Sequence, residues 1–159
     1  MQSIFDGAFM NCTELKDVDL ASITVGHEAF KGCTGLKNVT ALIYSQSVFE
    51  DCTGLETVVQ QYSGVPDYTF RNCTSLRSFE FSICRISDYC DFIGEEAFRG
   101  CLNLPEITIT DDIRKLRDRA FYGCSSLKHV FMKSLTPPAL GKDVFTGTHP
   151  SLEIYVAPE

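Results

Sequence analysis

The side chains in this chain with the widest chemical reach are eight cysteines and three histidines. A cysteine can serve as nucleophile, metal ligand or half of a disulfide, and each role needs a partner in a defined geometry. Six of the cysteines, Cys12, Cys33, Cys52, Cys73, Cys101 and Cys124, recur at one position of a repeating block. There is no C-x-x-C pair, and equivalent positions in successive copies cannot converge tetrahedrally on one zinc. Disulfides between stacked copies meet a similar objection, because neighbouring Cβ vectors would run parallel while a bridge needs them to point together. Packing as small buried hydrophobes is therefore the expected fate of these six, ahead of disulfide and metal. Cys84 and Cys90 fall outside the block, and a local bridge between them stays open for an exported protein. His27, His129 and His149 set up no zinc-protease motif, and no nucleophile elbow or phosphate loop occurs. His27 reads as an exposed turn residue. No catalytic residue, cofactor or metal ion is expected, and the chain reads as a non-enzyme.

The block itself is a small residue, Phe, two variable residues, Cys, two variable residues and Leu. It appears as Ala8-Phe9 to Leu15, Ala29-Phe30 to Leu36, Val48-Phe49 to Leu55, Thr69-Phe70 to Leu76, Ala97-Phe98 to Leu104 and Ala120-Phe121 to Leu127. A worn seventh copy is Val144-Phe145, with Thr148 in the cysteine slot and Leu152 one residue late. The leucines are separated by 21, 19, 21, 28, 23 and 25 residues. After each leucine comes an apolar alternation such as Leu104-Ile107-Ile109 or Leu127-Val130-Met132, the period of a strand with one buried face. The third copy is poor, because Gln60 fills its last apolar slot. A second apolar stretch, as at Ile23-Thr24-Val25, leads into the next Phe block.

One coil of this length cannot bury its own Phe, Cys and Leu, but stacked coils can, each covering its neighbour. The expectation is a parallel sheet on one face, with turns and short helical segments carrying the Phe-x-x-Cys block on the other. A buried Phe contributes about 1.5–3 kcal/mol, so a ladder of them is a main source of cohesion.

The blocks Ala29-Phe30-Lys31-Gly32-Cys33-Thr34-Gly35-Leu36 and Ala120-Phe121-Tyr122-Gly123-Cys124-Ser125-Ser126-Leu127 resemble the BspA-like leucine-rich repeats of bacterial and some protist surface proteins. The closing stretch from Thr136-Pro137-Pro138 through Val144-Phe145 to Val156-Ala157-Pro158 is similar to the way such arrays often end in gut-bacterial proteins. The resemblance covers essentially the whole chain and implies an α/β solenoid, a right-handed superhelix with the sheet on one face and turns or short helices on the other. Residues 1–159 then form one repeat domain of about seven coils, expected to be a piece of a longer array. The family resemblance further implies an extracellular or cell-surface setting and a role in adhesion or protein recognition, with a purely structural spacer as the alternative.

Net charge is −7 and the basic residues are scattered, so the converging cations that nucleic acid requires are missing and no nucleic-acid partner is expected. No apolar run reaches the length of a membrane span. The partner expected is a protein or a glycan, met by the outward strand positions. Asp17, Asp19, Thr40, Glu80 and Thr108 make its early part acidic and hydroxyl-rich, while His129, Phe131 and Tyr155 place aromatic anchors at the C-terminal end. Apolar residues at the chain ends, such as Ile4 and Phe5, add an expectation of end-to-end self-association.

Overall fold

The computed structural model describes residues 2–20, 23–62, 64–82 and 91–156. Cys84 and Cys90, with the bridge considered between them, lie outside the described residues. The chain winds as a β-solenoid of about six turns with parallel strands. Eleven strands are described: β1 (Gln2–Ile4), β2 (Ile23–Val25), β3 (Asn38–Ala41), β4 (Thr57–Gln60), β5 (Ser78–Phe81), β6 (Phe92–Ile93), β7 (Glu106–Ile109), β8 (Lys115–Leu116), β9 (His129–Met132), β10 (Ala139–Leu140) and β11 (Glu153–Val156).

The leucine-led segments make the first face. Leu20 bridges Ala41, β3, β4 and β5 pair in order, and β7, β9 and β11 follow as a second run. β5 and β7 lie side by side at the 28-residue interval without joining into one sheet. The segments ahead of each Phe block make a second face, with β1 beside β2 and β6, β8 and β10 in order. Strands on two faces, rather than one, follow from the two apolar stretches in the repeat, although not every coil forms both.

The expected helical segments are absent among the described residues. The reason is visible in the backbone. Each block holds two residues of positive φ, one two places before Phe and one two places after it. The first series is Gly7, Glu28, Ser47, Tyr68, Glu96, Arg119 and Asp143, and the second is Asn11, Gly32, Asp51, Asn72, Gly100, Gly123 and Gly147. A right-handed helix cannot pass through such residues. In the first six blocks the N–H of each of these residues, and of the Phe between them, donates instead to the next coil. Phe30 N–H, for example, reaches Val48 O at 3.0 Å, and Phe98 N–H reaches Ala120 O at 2.8 Å. Remaining N–H groups close tight turns three residues back, as from Cys33 to Phe30 O at 3.1 Å. The block is thus a third ladder of intercoil hydrogen bonds, and it leaves no donor for a helix.

Inside, the rings form one column. Phe9, Phe30, Phe49, Phe70, Phe98, Phe121 and Phe145 follow at centroid spacings of 5.3, 5.5, 6.0, 5.4, 5.2 and 5.6 Å. Their planes are near parallel, within 24° throughout, an arrangement that adds to area burial. Leu36, Leu55, Leu76, Leu104 and Leu127 are fully buried beside them.

The cysteines form a second column. Cys33, Cys52, Cys73, Cys101 and Cys124 are buried free thiols, and each donates through Sγ to the carbonyl of the Phe one coil earlier. The distances are 3.0, 3.0, 3.1, 3.2 and 3.0 Å. A thiol is therefore more than a small hydrophobe here: it satisfies a carbonyl between coils. Cys12 departs from the expectation, since it is an exposed free thiol in the first described coil.

Candidate recognition face

On the first face, inward residues such as Val39, Val58, Phe79, Ile107 and Val130 are buried, and the residues between them stand outward. Parallel register aligns the outward residues in two rows. Thr40 pairs with Val59, and Val59 with Glu80; further along, Thr108 pairs with Phe131, and Phe131 with Tyr155. The Leu20–Ala41 bridge sets Asp19 beside Thr40 at the start of that row. The second row runs Asn38, Thr57 and Ser78, then Glu106, His129 and Glu153, with Asp17 on the same side of the chain as its start. Asp19, Thr40, Glu80, Thr108, Phe131 and Tyr155 thus share one row, while Asp17 and His129 belong to its neighbour.

The C-terminal part of these rows is a compact aromatic cluster. Phe131 and Tyr155 stack at 5.0 Å with 14° between planes, and His129 stands 6.2 Å from Phe131 and 5.8 Å from Tyr155. Phe131 is 36% exposed and Tyr155 44%, so the stacked pair remains open to solvent. Glu153 organises the polar edge. It accepts the Tyr155 hydroxyl, and its carboxylate lies 3.7 Å from His129 Nδ1. The bond to Glu153 holds the Tyr155 phenol above its ordinary range. His129 Nδ1 is buried, makes no hydrogen bond, and has the Glu153 carboxylate as its nearest charged neighbour. The face also has a cleft. Where β5 and β7 fail to zip, a cavity of about 200 Å³ opens between Phe79, Glu80, Phe81, Thr108, Thr110 and Lys133, and Thr110 Oγ1 is buried there without a partner.

Nucleophilic chemistry is poorly served. Burial pushes the Cys52 and Cys124 thiols up to about 12 and lifts Cys73 and Cys101 well above the usual thiol range, the opposite of what thiolate catalysis needs. His27 is exposed, and its Nδ1 accepts the Gln46 N–H at 3.3 Å. His149 Nδ1 accepts the Ser151 N–H at 3.0 Å. Among the described residues, no three His, Cys, Asp or Glu side chains converge as metal ligands, and no helix is long and apolar enough to cross a membrane.

The sequence reading missed a charge network on the turn face. Glu50 binds Lys31 at 3.1 Å and also binds Arg71; Arg71 reaches Glu96 at 3.1 Å; and Glu96 binds Arg99 at 3.0 Å and Arg119 at 3.3 Å. Glu50 and Glu96 are buried and the cations half-exposed. The signal lay in charges one repeat apart, invisible until the coils are superposed.

These stacked coils have counterparts of known structure. A leucine-rich repeat protein from Bacteroides ovatus is 26% identical, with a TM-score of 0.81 over 99% of this chain and 46% of the other. This chain spans about half the length of that relative. The leucine-rich repeat protein TpLRR of T. pallidum shares the fold at 23% identity and a TM-score of 0.65, over 96% of this chain and 72% of the other. Comparison with curated proteins finds no significant match. The family profile described as "BspA type Leucine rich repeat region" matches in 6 copies, across residues 2–90 and 65–158. With Phe, Cys and Leu recurring in six blocks and the family profile matching across nearly the whole chain, the chain belongs to the BspA-type leucine-rich repeat family.

Proposed function

We propose that this chain is the non-catalytic recognition module of a secreted or cell-surface protein, and that it binds a protein partner on the first face. The observation that carries the reading is the exposed stack of Phe131 on Tyr155, flanked by His129. Backbone groups of β9 are already paired with β7 and β11, so over Phe131 and His129 an incoming partner meets side chains. Large aromatic rings on a rigid sheet lose little entropy on binding and are enriched where binding energy concentrates. The acidic and hydroxyl residues Asp17, Asp19, Thr40, Glu80 and Thr108 extend the surface toward the N-terminal coils and favour a partner with a basic or hydrogen-bonding rim. Surface localisation is supported by the family resemblance.

The test is binding of the purified chain to an array of matrix and cell-surface proteins, followed by the double variant Phe131→Ser, Tyr155→Ala. A saturable partner is expected. Loss of two anchors worth about 2 kcal/mol each should weaken it by at least two orders of magnitude while the thermal transition is retained. Unchanged affinity in the double variant would remove the assignment. No saturable partner across the array would favour the spacer, a stiff support for other parts of a longer protein.

A further inference from the structure

The second face carries strands at β1 and β2 and again at β6, β8 and β10, but among the described residues between them 42–46, 61, 62 and 64 form none. Gln60, which looked like a defect in the third strand, is fully buried, and its amide nitrogen donates to Ile43 O at 3.2 Å and Gly64 O at 2.8 Å. It thereby satisfies carbonyls that a strand would have paired. Outside this tie lies a cavity of about 320 Å³. Tyr44, 45% exposed, forms one aromatic wall and meets the buried Tyr62 edge-on at 4.6 Å. Phe92 forms another, with the Arg117 guanidinium 3.5 Å above its ring.

The rim is polar and directional. Because His27 Nδ1 accepts the Gln46 N–H at 3.3 Å, the neutral ring offers Nε2 as a donor. The Gln46 amide nitrogen donates to Asp67 at 3.4 Å, which leaves its carbonyl oxygen as an acceptor. Asp67 and Arg117 form an ion pair at 3.0 Å, so they compensate each other and the pocket has no surplus charge for an ionic ligand.

We infer that this pocket binds a neutral pyranose sugar. A pyranose has an apolar C–H face that fits an aromatic wall and a belt of hydroxyls that matches paired donors and acceptors. The volume is at the small end of ligand sites and suits one or two rings. The site lies on a different face from the Phe131–Tyr155 cluster, so it stands or falls separately from the protein-binding reading.

Saturation-transfer difference NMR and calorimetry with methyl-β-D-glucopyranoside, methyl-β-D-galactopyranoside, methyl-α-D-mannopyranoside and N-acetylglucosamine test the inference, with glycerol as the control polyol. At least one sugar is expected to saturate, with a dissociation constant of about millimolar order and transfer strongest at the C–H groups of one ring face. Tyr44→Ala should weaken it by about tenfold or more. If Tyr44→Ala unfolds, Gln46→Ala on an exposed side chain should produce the loss instead. Failure of all four sugars to saturate, binding no better than glycerol, or an unchanged constant in a folded variant would each overturn the inference.

Discussion

Phe98→Ala is expected to destabilise the chain by about 3–5 kcal/mol, the usual cost of deleting a fully enclosed ring. Phe98 has no exposed surface and sits in the ring column 5.4 Å from Phe70 and 5.2 Å from Phe121, with Phe79 edge-on at 4.9 Å. Its removal opens a void at two coil interfaces at once. In a stack whose coils touch only their neighbours, that damage also weakens coupling between the halves. Guanidinium unfolding followed by circular dichroism should show a lower midpoint together with a shallower or split transition. Phe9→Ala is the control. Phe9 is 39% exposed and stacks on Phe30, so its loss should cost about 1–2 kcal/mol with cooperativity intact. Equal costs for the two variants would mean that the rings do not form an enclosed column.

Arg71→Leu should have the next largest effect, about 2–3 kcal/mol near neutral pH, below the full cost of breaking a buried pair because the Arg71 side chain is 32% exposed. Arg71 joins Glu50 and Glu96, whose side chains are 4% and 5% exposed. Each carboxylate keeps another cation, Lys31 for Glu50 and Arg99 for Glu96, which moderates the loss. Burial pushes both carboxyls up. For Glu50 the bonds from Arg71 and Lys31 outweigh it, and for Glu96 those from Arg99 and Arg71 do, so both groups settle below the ordinary 4.5. Groups lowered by folding stabilise the native state above their unfolded pKa, and that contribution disappears as pH falls through the folded values. Wild type should therefore hold this part of its stability down to about pH 4.5 and lose it below. In Arg71→Leu both carboxyls rise, so the loss begins at higher pH. Thermal melts across pH 3–7 would show the displacement, and superimposable profiles would mean that Arg71 is not coupled to the two carboxylates.

How much of this was legible in the residues differs by element. The leucine-led strands were readable because one buried face imposes a period of two, and Val39, Ile107 and Val130 are inward as that period requires. The ring and thiol columns were readable because a single repeat cannot enclose them. The turn face was not. Asn11, Gly32 and Asn72 are residue types that accept positive φ, but Glu28, Tyr68 and Arg119 are not. Intercoil hydrogen bonds hold them there, and such bonds exist only after stacking. The same holds for the Glu50–Arg71–Glu96 network, whose members are 21 and 25 residues apart. Gln60 was noticed as an irregularity, yet its meaning needed the neighbouring carbonyls of Ile43 and Gly64. On the recognition face, alternation identified Phe131 and Tyr155 as outward, but their common row depended on the register of β9 against β11.

A shared interior for the repeated thiols is tested most directly by native alkylation with a small maleimide, mapped by peptide mass. Cys33, Cys52, Cys73, Cys101 and Cys124 are buried and bonded to the preceding coil, whereas Cys12 is exposed. Cys12 should react within minutes and the other five only after denaturant is added. Labelling of those five at the Cys12 rate in folded protein would contradict the stacked-coil interior from which the recognition face and the sugar pocket both derive.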